Sequence, residues 1–226
     1  MEVQILSCAQ KSMALFTGKG DSGTTKIFGC NQKISKSSAI AEALGSLDEI
    51  NSFLGLCKVQ SKYLDYQFRG RGLWEIVHDI QKNLFIVQAE MAGADKSVTE
   101  NKVKEMEEII DGIEKTMSPI KSFFISGGSP EISEDQIGGA GLGSLFDIAR
   151  TIARRAERRA VAVSEEFTNQ SLFEKDDEKK AVESKEDRQI DKNTLAYLNR
   201  LSSILYALAR YSNYLAGIKE EAPDYS

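Results

Sequence analysis

Apolar residues recur along this chain at alternating steps of three and four, the period of one helix face, in five separate stretches. From Ala39 to about Val59 the stripe is Ile40, Leu44, Leu47, Ile50 and Leu54. From about Trp74 to Ala92 it is Ile76, Ile80, Leu84 and Val87, and from about Lys102 to Met117 it is Val103, Met106, Ile109, Ile110 and Ile113. A fourth stretch, about Ser144 to Phe167, carries Leu145, Ile148 and Ile152. The fifth, about Thr194 to Ala216, carries Leu195, Leu198, Leu201, Leu205, Leu208 and Leu215. No stretch alternates with period two, so the pattern predicts an all-α fold, a bundle of five helices.

Two stretches break the pattern. "SGGSPEISEDQIGGAGLGS" (Ser126 to Ser144) is rich in glycine and leads into the fourth helix. "EKDDEKKAVESKEDRQIDK" (Glu174 to Lys192) mixes charges with few apolar residues and reads as a solvated loop. There is no internal repeat. The expected organisation is a single domain over 1–226, with an N-terminal loop region over 1–37, the bundle over 39–218 and the charged loop over 174–192.

Composition narrows the function classes. With 226 residues and 41% hydrophobic content, one domain with a proper core is expected. No apolar run approaches the roughly 18 residues that span a bilayer. The start "MEVQILSCAQKSM" has an early acid and no long apolar region, a poor signal peptide, so a cytoplasmic protein is expected. Cys8, Cys30 and Cys57 are widely spaced and form no CxxC pair, which argues against a disulfide scaffold or a zinc site. The single histidine, His78, removes multi-histidine metal chemistry. A net charge of -5 does not favour nucleic acid or an anionic membrane as partner.

The candidate chemistry lies in two motifs. "TGKGDSGTT" (Thr17 to Thr25) has the two-glycine spacing of the Walker pattern GxxxxGK[ST], but Thr24 stands where lysine should. No hydrophobic strand leads into it, so it is not a P-loop. Its glycines can still let backbone N–H groups converge on an anion, with Lys19, Thr24 and Thr25 as added donors. The competing reading is an ordinary flexible loop.

The second motif, "ARTIARRAERRAVAV", puts Arg150, Arg154 and Arg158 on one helical stripe and Arg155 and Arg159 on another. Like charges four residues apart cost an isolated helix roughly 0.2–0.5 kcal/mol per pair, which Glu157 offsets only partly. Either phosphate or carboxylate of a ligand meets the stripe, or acids of other helices do. A DNA-reading stripe fits the acidic chain less well. Beside the arginines, Ala149, Ala153, Ala156, Ala160 and Val163 repeat at four and three, which lets a neighbouring helix approach closely. Asp48 stands at the edge of the first helix's stripe and Asn199 beside the fifth's; each is a candidate ligand or a structural polar group.

In this order, "FTGKGDSGTTKIFG", "EALGSLDEINSFLGL", "IQKNLFIVQAEMAG", "FFISGGS", "ARTIARRAERRAVAV" and "YLNRLSSILYALAR" resemble the PduO-type corrinoid adenosyltransferases, also called ATP:cob(I)alamin adenosyltransferases. The resemblance implies a five-helix, ferritin-like up-down bundle with an N-terminal loop that orders on binding. It implies a homotrimer with active sites between subunits, moving the 5′-deoxyadenosyl group of ATP to Co(I) of cobalamin. By motif, Thr17, Gly18, Lys19, Gly20, Thr25, Lys26 and Lys36 resemble the ATP-binding loop, with Arg154, Glu157, Arg158 and Asn199 its helical ligands. Arg154, Lys19 and Phe123 would carry catalysis, Phe123 as the aromatic that keeps the lower axial base off cobalt. Asp48 would pair with Arg150 of a neighbouring subunit, and Mg²⁺ would travel with the ATP phosphates. A reductase or a cobalamin-dependent enzyme is an expected partner; nucleic acid and membrane are not.

Three departures from the family's pattern stand out. Gly18 and Lys19 occupy positions where the family's loop more often reads T-[KR]-T-G-D, Ser126 replaces the usual proline, and an insertion around "PEISEDQIGGAGLG" precedes the fourth helix. Two other readings of the same residues stay open: an ATP or corrinoid carrier or sensor without chemistry, and a structural bundle with an internal ion-pair network.

Overall fold

The computed structural model describes residues 16–27, 33–129, 131–174 and 189–226. Cys8, Cys30 and most of the charged run, 175–188, lie outside the described residues. The five expected helices are present: α1 (Ala39–Tyr63), α2 (Leu73–Met91), α3 (Glu100–Glu114), α4 (Ile137–Glu174) and α5 (Lys192–Leu215). Two short antiparallel hairpins accompany them. Thr24–Lys26 (β1) pairs with Lys33–Ser35 (β2), and Gln67–Phe68 (β3) pairs with Arg71–Gly72 (β4). These strands are two or three residues long, too short for a period-two pattern to register.

Helix α4 is the centre of the bundle. It packs against α1 on one side and α5 on the other; α2 lies on α1, and α3 lies on α5. The surface that permits this is the alanine line: Ala149, Ala153, Ala156 and Ala160 are all completely buried. With only a methyl group at each contact, helix axes approach at the short end of the usual 8–10 Å range. The larger residues expected on this helix's core face divide. Ile152 is buried, Leu145 is half-buried, and Ile148 is exposed, because the buried line runs through Leu142, Phe146 and the alanines instead. On the other helices the predicted stripes supply the core, including Leu47, Ile50 and Leu54 of α1, Ile76, Ile80, Leu84 and Val87 of α2, and Leu198, Leu201, Leu205 and Leu208 of α5.

Helix α4 also begins earlier than the sequence pattern predicts. Its first turns take up "IGGAGLG", which the composition marks as a loop. Gly139 and Gly143 provide clearance. A Cβ on Gly139 would collide with Ala216 and the Tyr66 hydroxyl, and one on Gly143 would collide with the Asn213 side chain and crowd the Ala209 carbonyl. The start of α4 thus lies flush against the end of α5.

Side-chain bonds close the bundle between α2 and α5. Asn83 donates to the Tyr197 hydroxyl at 3.2 Å. Glu90, buried near the end of α2, accepts from the Asp191 backbone N–H at 2.7 Å and from the Thr194 hydroxyl at 2.5 Å. Thr194 in turn accepts from the Val98 N–H at 3.1 Å. Among the described residues no helix is long and apolar enough to cross a membrane.

Two outcomes follow for stability. Gly143→Ala should lower it by about 1–3 kcal/mol through overpacking, more than the roughly 1 kcal/mol of helix propensity that alanine brings. Gly141, with open space where a Cβ would stand, should gain about 0.5–1 kcal/mol on becoming alanine, and urea unfolding of both variants measures the contrast. Burial lifts the Glu90 carboxyl above its ordinary 4.5 more than its two donors lower it. Its stabilising contribution is therefore complete below pH 4.5 and lost as pH rises through the raised value. Urea unfolding at stepped pH should show the stability of wild type relative to Glu90→Gln falling across that window.

Candidate functional site

The glycine stretch folds into a turn leading into a hairpin. Gly18 and Gly23 both take positive φ, +65° and +79°, conformations open to glycine at little cost. Backbone bonds from Asp21 N to Gly18 O and from Gly23 N to Gly20 O close successive tight turns. Lys36 reaches back across β2: its N–H donates to Gly23 O at 2.9 Å, and its Nζ lies where a Gly20 side chain would begin. Thr17, Lys19, Gly20, Thr25, Lys26 and Lys36 are thereby gathered in one hairpin, with Lys19 and Lys36 exposed. These backbone bonds define the turns of residues 17–26.

The five arginines of α4 part into two functions. Arg155 bonds Glu49 of α1, and Arg159 lies 3.9 Å from Glu42 of the same helix. These two are structural ion pairs between neighbouring helices. Arg154 and Arg158, on the other stripe, pair with no carboxylate among the described residues. Both line a small polar groove of about 280 Å³ together with Glu157, Val161 and Asn199. The structure thus brings together all four helical residues singled out from the sequence. The groove carries two guanidinium groups against one carboxylate, a surplus suited to an anion.

Glu157 is held in place by a chain of bonds that the sequence pattern did not single out. Asn199 Nδ2 donates to Glu157 Oε1 at 2.9 Å, and Asn199 Oδ1 accepts from Arg200 at 2.6 Å. Arg200 is anchored on Glu107 of α3 at 2.8 Å. The signal for Arg200 was its place in "YLNRLS"; Glu107 carried none, since its role depends on how α3 lies against α5.

Arg154 also lines a second, larger groove of about 570 Å³ with Phe123, Phe124, Ile120, Arg150, Ser202 and Tyr206 among its walls. Phe123 stands 79% exposed at this groove. Arg150 is turned by Asp147, which accepts from its Nε at 2.7 Å, and its guanidinium lies 5.8 Å from the Tyr206 ring. The second groove is more apolar than the first, and the two meet at Arg154. Asp48 is exposed on α1. Neither groove is lined by any residue of the glycine hairpin.

Among the described residues neither groove is lined by a histidine or a cysteine. His78 is exposed on α2 away from both grooves, and burial pushes the Cys57 thiol up to about 12. No cluster of three or more metal-ligating side chains occurs among the described residues. The arrangement can bind and orient an anion beside an apolar ligand and stabilise negative charge developing between them.

Inorganic triphosphate, titrated by calorimetry, checks the division of the arginines. Arg158→Ala should lose roughly tenfold or more of affinity, the scale of a charge-assisted hydrogen bond. Arg155→Ala should leave affinity unchanged and lower thermal stability slightly.

Comparison with known proteins places the chain among its relatives. The chain is 30% identical over 209 residues to the corrinoid adenosyltransferase PduO of Citrobacter freundii, covering 89% of this chain and 50% of that protein. A similar match to the PduO protein of Salmonella typhimurium also covers 49% of it, so the chain spans about half the length of these two relatives. A corrinoid adenosyltransferase of Bacillus subtilis is 32% identical over 210 residues, covering 91% of this chain and 90% of that one. Among solved structures, a variant PduO-type ATP:corrinoid adenosyltransferase from Lactobacillus reuteri, complexed with cobalamin and ATP, superposes with a TM-score of 0.69 at 27% identity. That match covers 94% of this chain and 98% of the other. The family model described as cobalamin adenosyltransferase matches residues 15–212, and the chain belongs to that family.

Proposed function

We propose that this protein transfers the 5′-deoxyadenosyl group of ATP to Co(I) of a reduced corrinoid, forming adenosylcobalamin and releasing triphosphate. The observation that carries the reading is the meeting of two unlike grooves at Arg154: a cationic one suited to phosphates and an apolar one with an aromatic rim. ATP would lie in the first and the corrinoid in the second, which brings C5′ and cobalt together at the shared residue.

The division of labour follows from the chemistry. Co(I) is itself a strong nucleophile, so the displacement at C5′ needs no general base. The electron pair of Co(I) forms the Co–C bond as the C5′–O bond breaks, and the electrons leave with triphosphate. The protein's part is to hold the reacting atoms in line and to neutralise the leaving group. Arg154 and Arg158 face the phosphates, Glu157 and Asn199 orient the rest of the nucleotide, and Phe123 occupies the space of the corrinoid's lower axial base. Mg²⁺ arriving with ATP would meet Glu157 as the one carboxylate lining that groove, and would supply further charge neutralisation.

The glycine hairpin enters from another copy of the chain. Support comes from its absence from the lining of either groove, although Lys19, Lys26 and Lys36 are exposed and suited to phosphate. In this reading Thr17, Gly18, Lys19, Gly20, Thr25, Lys26 and Lys36 close the nucleotide site across the interface of a homotrimer. Asp48, exposed on α1, meets the partner subunit's Arg150 there. The enzyme acts in the cytoplasm, fed by a reductase and serving a cobalamin-dependent enzyme.

The test is a strictly anaerobic assay with cob(I)alamin, ATP and Mg²⁺, following the spectral change of Co–C bond formation. Turnover is expected, with Arg154→Ala reducing it by about 10²-fold or more while the assembly by light scattering is unchanged. ATP binding without turnover would favour a carrier or sensor, and a monomeric wild type would overturn the shared site.

A further inference from the structure

Arg210 of α5 is the most deeply buried arginine among the ion pairs, its side chain 7% exposed. Its Nε and Nη2 donate to the two carboxylate oxygens of Glu220 at 2.8 and 2.7 Å, a bidentate fork. Nη2 also donates to the Ser118 carbonyl at 3.3 Å, and the guanidinium lies 5.2 Å from the Phe124 ring centre. One buried cation therefore joins three segments that are far apart in sequence: α5, the tail after it, and the connection from α3 to α4.

The tail is fixed along the same connection by its backbone. Ile125 N–H donates to Glu221 O at 2.8 Å, and Ser129 N–H donates to Lys219 O at 3.0 Å. Gly128, at φ +76°, leaves the space that Ile218 fills. The tail thus lies strand-like against residues 125–129, immediately after the two phenylalanines. Phe124 is held against Arg210, and its neighbour Phe123 stands exposed at the rim of the larger groove, which both rings line.

We propose that Arg210 and Glu220 are positioning residues for the corrinoid: their ion pair locks the tail onto the Phe123–Phe124 segment and so sets where Phe123 stands. The inference rests on reading the larger groove as the corrinoid site. The pair itself touches no substrate and acts only through the two aromatic residues. Removing Glu220 leaves a buried, unpaired guanidinium, so the segment cannot stay closed as before.

The experiment compares wild type, Glu220→Ala and the conservative Glu220→Gln in the full chain. Kinetics are read with cob(I)alamin and ATP, and the visible spectrum of cob(II)alamin is read on the ATP-loaded protein. Glu220→Ala should raise the corrinoid KM roughly tenfold, the scale of a misplaced positioning group, with the ATP KM unchanged. The cob(II)alamin spectrum should shift back toward that of the base-coordinated form, and Glu220→Gln should recover part of both effects. An unchanged corrinoid KM in Glu220→Ala, beside an active wild type, overturns the positioning inference alone. Equal loss of ATP and corrinoid affinity with a lower Tm also overturns it, since that is what a purely structural pair would give. A wild type that binds ATP but neither binds nor adenosylates the corrinoid removes the reading of the groove and this inference with it.

Discussion

The close approach of α4 to its neighbours is the constraint on which the rest depends. A helix whose buried face is alanine at Ala149, Ala153, Ala156 and Ala160 and glycine at Gly139 and Gly143 can sit closely between α1 and α5 along those positions. Its other face carries five arginines. Like charges at four-residue spacing would weaken this helix in isolation. Asp147 of the same helix pairs with Arg150, and in the bundle Arg155 and Arg159 find Glu49 and Glu42 of α1. Arg154 and Arg158 keep their charge for the groove. The cost of leaving them unpaired is modest in a half-open groove and would be large in a closed core.

Preorganisation of the site comes from a third helix. Glu107 of α3 fixes Arg200, Arg200 fixes Asn199, and Asn199 fixes Glu157. Each bond is exposed or half-exposed and worth little alone. As a series they remove rotamer freedom from the one carboxylate that stands between two guanidinium groups. Without that restraint Glu157 would be free to fold onto Arg154 or Arg158, which lie three residues before it and one after, and cancel the charge an anion needs.

The helices were legible from apolar spacing because each buries a single face, and that spacing placed all five within a few residues at most ends. The start of α4 was not, since "IGGAGLG" reads as a loop by composition and becomes helical only where Ala216, Tyr66 and Asn213 press against it. The same limit applies to its core face. Leu145 and Ile148 read as stripe residues, yet the buried line runs through Leu142, Phe146, Ile152 and the alanines, a line that apolar size alone does not mark. At the site, Arg154 and Arg158 could be singled out by type and spacing and Asn199 by its place beside the leucine stripe, whereas Glu157 was marked as a ligand only by the resemblance to the family. The separation of Arg155 and Arg159 from Arg154 and Arg158 could not be singled out, as it depends on which helix carries the acids. Arg210 and Glu220 left no mark in the pattern, being joined only by the path of the tail.

The net charge of the chain bears on this site in a way that composition alone conceals. A total of -5 argues against a polyanionic partner, yet the groove on α4 is locally cationic. Among the described residues, Glu42 and Glu49 pair with arginines of α4, and other acids, such as Asp48 and Glu100, stand exposed on helix faces. A small, highly charged ligand responds to the local field within about a Debye length of 8–10 Å, not to the whole-protein charge. A long polyanion such as nucleic acid would meet both. The same chain can therefore select a compact anion such as triphosphate over an extended one, with no pocket wall needed to exclude the latter.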